Sequence, residues 1–276
     1  MPTKYGTEFA FMPNAEDWKF RPPGYSAERI IESRELWFST PENFNDPFDC
    51  QVDIQGTFAS IREGIRLHHG EQMAQLIDEA ARRATQHRYG YFCTCGAWDE
   101  TLMWSHYADS HKGLALGFSF SNEGTFHSGE LKYKQADYRS IALREAISKA
   151  NDALNMFRAY PRQYPGLMPG EADQFFENFK CNINELYEAV RFMKAECWRY
   201  EKERRYEIEL SPAHGKGVVR AFDSTDLKHV IFGVLCEEKT IERIRALLKD
   251  VEWSHVQFWR AARDAVNLKV VAEPLG

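Results

Sequence analysis

Two carboxylates set two residues apart in WRYEKERRYEIEL (198–210) are the first candidates for chemistry. If the chain is extended from Tyr200, then Glu201, Glu203, Arg205 and Glu207 share one face, and Tyr200, Lys202, Arg204, Tyr206 and Ile208 the other. Side-by-side carboxylates repel, which raises at least one pKa unless the arginines offset it. Such a pair suits a site that stabilises a developing cation, holds a ribose hydroxyl or takes a proton. The bland alternative is a solvated strand laced with ion pairs.

A second stretch, LWFSTPENFNDPFDC (36–50), ends an apolar strand at Ser39 and then turns through Pro, Asn and Asp. Pro41 and Pro47 fix local backbone angles, while Asn43, Asn45, Asp46 and Asp49 can close Asx turns on their own main chain. Ser39 differs, because a hydroxyl at the end of a rigid strand can be aimed into a cleft. The third stretch, LMWSHYADSHKG (102–113), reads as a short helix with Trp104 and Tyr107 on its apolar side and His106 within reach of Asp109. A histidine among aromatics is more often packed than catalytic, and Lys112 and Gly113 end the helix.

The elements that must position these groups follow from periodicity. WKF (18–20) is a short strand broken by Arg21, Pro22, Pro23 and Gly24, and Ser26 caps the helix AERIIESRE before the strand LWFS. Residues 58–88 keep helical spacing with a break at Gly70; strands follow at 89–95, 113–120 and 130–134. Amphipathic stretches at 140–158 and 172–198 form a helical insertion, about 140–198. Strands return at RRYEIEL, GVVRAF, HVIFGVL, VQFW and NLKVV, with the helix KTIERIRALLKD among them. This order predicts one α+β domain over 1–276 with a mixed, mostly antiparallel sheet.

Composition bounds the rest. Of the 276 residues, 43% are hydrophobic and 14% aromatic, enough for a core, and a formal charge of −6 gives no field for general nucleic-acid affinity. No apolar run approaches the ~20 residues that span a bilayer, so a cytoplasmic protein without membrane contact is expected. Six cysteines lack disulfide or zinc spacing; Cys93 and Cys95 alternate onto one strand face as buried thiols.

Taken together, FSTPENFNDPFD, MWSHYADSHKGLALGF and WRYEKERR resemble the diagnostic blocks of the bacterial family called domain of unknown function 2971. The order of elements also resembles the ADP-ribosyltransferase superfamily, which binds NAD as a substrate in a split sheet. That second resemblance implies a split-sheet core and an enzyme that cleaves the nicotinamide–ribose bond of this small dinucleotide. Glu203 or Glu201 would hold a ribose hydroxyl and stabilise the ribosyl cation, with Ser39 supporting the nicotinamide-ribose side. Lys19 or Arg21, flanking Phe20, falls where a His or Arg of the superfamily positions the cofactor. Tyr107 or Phe44 would stack on the nicotinamide, and the proline-stiffened turn would hold Asn45 and Asp46 beside it, with His106 near the same pocket. The superfamily also implies a bacterial defence or toxin effector, without naming the acceptor of transfer.

Two other functions fit the residue inventory. A metal-dependent nuclease or phosphodiesterase would be built from Asp46, Asp49, His106, His111 and Glu203, although no compact metal motif is present. A non-catalytic interaction module would dock a partner on the helical insertion.

Overall fold

The computed structural model describes residues 12–50, 88–120, 132–138 and 191–276, with scattered helical positions between residues 62 and 78 and at 148 and 152. Most of the expected helix at 58–88 and of the insertion at 140–198 lies outside the described residues.

The elements are β1 (Asp17–Arg21), α1 (Tyr25–Ser33), β2 (Glu35–Ser39), β3 (Arg88–Cys95), α2 (Thr101–Tyr107), β4 (Leu114–Phe118) and β5 (Lys132–Gln135). After them come β6 (Glu203–Leu210), β7 (Gly217–Ala221), β8 (Leu227–Phe232), α3 (Glu238–Leu247), β9 (Gln257–Asp264) and β10 (Lys269–Pro274). The ten strands form one open sheet in the order β10-β9-β8-β4-β1-β3-β2-β7, with β6 on β3 and β5 on β6. Only β8 and β9 pair in parallel among the described strands, so the mixed, mostly antiparallel α+β architecture expected from sequence is present.

Alternation explains the two layers. In β4 and β8, Leu114, Leu116, Phe118, Val230 and Phe232 enter one apolar cluster with Ile30 and Ile31 of α1 and Ile241 and Ile244 of α3. Ala115 and Ile231, half a pleat away, enter the other with Trp18, Phe20, Trp104 of α2 and Trp259. These central strands are buried on both faces, which is why LALGF reads as a continuous apolar run instead of an alternating one.

The pairing of β3 creates the feature that matters for function. One edge of β3 is matched to β6 along its whole length, from Arg88↔Leu210 to Cys95↔Glu203. The opposite edge meets two different strands: Tyr91 faces Ser39 of β2, and Cys95 faces Trp18 of β1. From there β1 runs with β4 and β2 runs with β7, so the sheet divides between them and β3 floors the gap. Buried Asp17 of β1 ties the division at one end, accepting hydrogen bonds from Thr94 Oγ1 of β3 (2.6 Å) and the Tyr206 hydroxyl of β6 (2.7 Å).

Several boundaries differ from the sequence reading. Arg21 stays within β1, held by pairing to Leu114. Gly24, not Ser26, precedes α1, with φ of 100° that a side chain rarely adopts, and no side chain caps the helix. Helix α2 stops at Tyr107, and Asp109, Ser110 and His111 turn the chain in left-handed conformations, so His106 and Asp109 are not helical neighbours. Gly113 begins no cap either: a Cβ there would lie 2.1 Å from the Arg21 carbonyl, so glycine permits the close approach of β4 to β1. The last helical turn of the insertion ends at Phe192, not at 198; Met193 bridges to Asp137, and a 3-10 segment spans Glu196–Glu201.

Candidate functional site

The gap between the half-sheets is a cleft of about 510 Å³. It is lined by β1, by the turn after β2, by β3, by Tyr107 of α2, and by Lys194, Glu201 and Glu203. Ser39 and both candidate glutamates therefore share one hollow, although they are far apart in sequence.

The glutamates are not carried by a continuous strand. The 3-10 segment ends at Glu201, Lys202 adopts φ of 45°, and β6 begins only at Glu203. This kink brings both carboxylates to one ammonium: Lys194 Nζ donates to Glu201 and to Glu203, and lies 3.7 Å from Asp49. Arg205 completes the cluster, donating through Nε to Glu203 (2.6 Å) and through one terminal nitrogen to both Asp49 oxygens (2.7 and 2.9 Å). Glu203 is 3% exposed and Arg205 0%, which rules out a solvated charged strand. Charges this deep persist only when paired and fully hydrogen-bonded.

The environments separate the two carboxylates. Burial alone would raise the Glu203 pKa, but Arg205 and Lys194 outweigh it and hold the group down at about 2. Burial raises that of Glu201, with Lys194 and Tyr107 only partly offsetting it. The Tyr107 hydroxyl donates to Glu201 Oε1 at 2.6 Å and accepts from Asn45 Nδ2 at 3.1 Å, while the Glu203 amide donates to the Tyr138 hydroxyl at 2.6 Å. The two carboxylates thus differ: paired cations favour the ionised form of Glu203, whereas burial shifts Glu201 toward its protonated form.

The β1 wall has the opposite character. Lys19 donates from Nζ to the Cys93 carbonyl at 2.5 Å, and burial, with Arg21 beside it, lowers its pKa to about 7. Arg21 has a buried Nε without a hydrogen-bond partner among the described residues. Lys216 lines the cleft near Ser39, and Trp37, 46% exposed, and Phe44 add flat apolar surface.

Of the residues singled out from sequence, Lys19, Phe20, Arg21, Ser39, Phe44, Asn45, Tyr107, Glu201 and Glu203 line the cleft. Asp46 does not. Its oxygens accept from Trp198 Nε1 (2.6 Å) and the Phe48 amide (2.9 Å), so it fastens the turn to the 3-10 segment. His106 is exposed outside the lining, with its ring 6.2 Å from that of Tyr200, because α2 turns that face away from the sheet. Sequence reasoning missed Lys194, which carried no motif at the end of an amphipathic run, and read Asp49 as turn chemistry or a metal ligand, not as an ion-pair partner of Arg205. Arg205 was legible as sharing a face with Glu203, but not as the partner of Asp49.

Fold and site together define an α+β protein with an open, mostly antiparallel sheet and a charged cleft where that sheet divides. Residues 103–206 match the family described as protein of unknown function (DUF2971), which shows the family resemblance across α2, β4, β5 and the start of β6. Comparison with curated proteins and with solved structures gave no match. No described helix is long and apolar enough to cross a membrane.

Proposed function

We propose that the cleft binds NAD as a substrate and breaks its nicotinamide–ribose bond, as an ADP-ribosyltransferase does. The observation that carries this reading is the meeting of Ser39, Glu201 and Glu203 in one hollow at the division of the sheet. Breaking that bond develops positive charge on the ribose, and a fixed carboxylate stabilises it without any reorganisation. Glu203 suits this task because Arg205 and Lys194 keep it ionised and in place. Among the described residues, Lys194 bridges Asp49, Glu201 and Glu203, and Arg205 pairs Asp49 with Glu203, so the carboxylates are fixed in place before any ligand arrives. Glu201 and Tyr107 form the polar pair for a ribose hydroxyl, and Arg21 and Lys216 supply positive charge for the diphosphate. Trp37, Phe44 and Tyr107 offer walls for the flat rings.

A metal-dependent phosphodiesterase finds less support. Asp46 accepts from Trp198, and among the described residues no group of three His, Cys, Asp or Glu is gathered as ligands. The test is release of free nicotinamide from NAD by the purified protein. Glu201→Gln and Glu203→Gln should each lower turnover by about 100-fold or more, with circular dichroism followed alongside. Unchanged turnover in both variants would count decisively against the reading.

A further inference from the structure

We propose that Lys19 is a nucleophilic amine that captures a small aldehyde, such as the open-chain form of a phosphorylated sugar, as an imine within the cleft. Lys19 alternates with core-packed Trp18 and Phe20 along β1, so its side chain stands on the opposite strand face, and it lines the cleft. Its Nζ sits 4.9 Å from the centre of the Phe92 ring, with the Cys93 carbonyl as its hydrogen-bond acceptor. Among the described residues no carboxylate forms an ion pair with it, in contrast to Lys194, which meets three. Arg21, two residues along β1 on the same strand face, is a like charge and lowers its pKa further.

A lysine that is both desolvated and beside another cation is the arrangement that leaves an amine neutral and nucleophilic. Burial and Arg21 favour the free amine; Cys93 of β3, Glu203 of β6 and Glu201 of the preceding turn pull the other way and are outweighed. The Nζ lone pair adds to the carbonyl carbon, and the nitrogen's two protons leave with the carbonyl oxygen as one water when the C=N bond forms. Arg21 and Lys216, lining the same hollow, favour an aldehyde that carries a phosphate. Open-chain ADP-ribose, the hydrolysis product under the reading above, belongs to this class; only that clause rests on NAD cleavage.

The experiment uses the full chain without NAD, so its outcome is independent of glycosidic activity. The protein is treated with pyridoxal 5′-phosphate, and separately with acetaldehyde, across a pH series with cyanoborohydride, and the adducts are mapped by peptide mass spectrometry. Lys19 should react first with both aldehydes, half-maximally near its pKa of about 7. At neutral pH, exposed Lys112, Lys202 and Lys239 should be modified only after Lys19. Arg21→Gln should move the Lys19 midpoint upward, and Lys19→Arg should abolish that adduct while the circular dichroism spectrum is retained. The proposal is overturned if Lys19 stays unmodified while surface lysines react, if acetaldehyde leaves it untouched, or if its midpoint does not move in Arg21→Gln.

Discussion

The two walls of the cleft treat charge in opposite ways. On the β6 side, Asp49, Glu201, Glu203, Lys194 and Arg205 are buried and paired with one another. On the β1 side, among the described residues, Lys19 has one carbonyl acceptor and Arg21 a buried nitrogen without a partner. The β6 wall is pre-assembled, while the β1 wall keeps charge in reserve for a ligand. A closed network holds its members in one geometry, as a site for transition-state charge requires, whereas Arg21, whose buried Nε has no partner among the described residues, retains its attraction for an incoming anion.

The comparison breaks most visibly at Arg205. Arg205→Met strips Asp49 and Glu203 of their shared cation and should cost about 3–5 kcal/mol in urea unfolding, because a buried charge is left uncompensated. Arg21→Met, on the open wall, should leave stability nearly unchanged and weaken binding of a dinucleotide measured by calorimetry. Equal destabilisation by the two would erase the distinction between the walls.

Acid sharpens the same contrast. The folded pKa of Glu203, about 2, lies below its ordinary 4.5, so its contribution to stability is full above pH 4.5 and lost as the pH falls toward 2. Lys19 works in the other direction: its folded pKa of about 7 lies below its ordinary 10.5, so the folded form binds fewer protons between those values and stability rises with pH across that window. Melting temperatures of Glu203→Gln and Lys19→Met against pH should each lose one of these two slopes.

The smallest expected effect is at Ser39, whose hydroxyl donates only a long 3.3 Å bond to the Thr40 carbonyl. Ser39→Ala should change stability by less than about 0.5 kcal/mol. Any fall in NAD turnover then reports its position in the cleft and not a loss of folding.

Much of the fold was legible because it is written in local periodicity. LWFS, YGYFCTC, GLALGF and RRYEIEL became strands as expected, and Ile241 and Ile244 turned inward on the helix of KTIERIRALLKD. The errors fall where tertiary contacts override local preference. Lys194 looks like the tail of an amphipathic helix, but the Asp137–Met193 bridge stops that helix and releases the lysine toward the glutamates. Glu201 was expected on a strand and sits at the end of a 3-10 turn, because Lys202 reverses the backbone before β6 can begin.

The amino-acid order by itself determined which faces are apolar, which turns Pro and Asn close, and that Glu203, Arg205 and Glu207 point the same way, since each depends on residues only a few positions apart. Tertiary structure alone decided that β3 should share one edge between β1 and β2, and that Arg205 should find Asp49, 156 residues away. Periodicity reports the side of an element on which a group stands; the partner across a gap is chosen by the packing of the whole chain, which must pair every charge it buries.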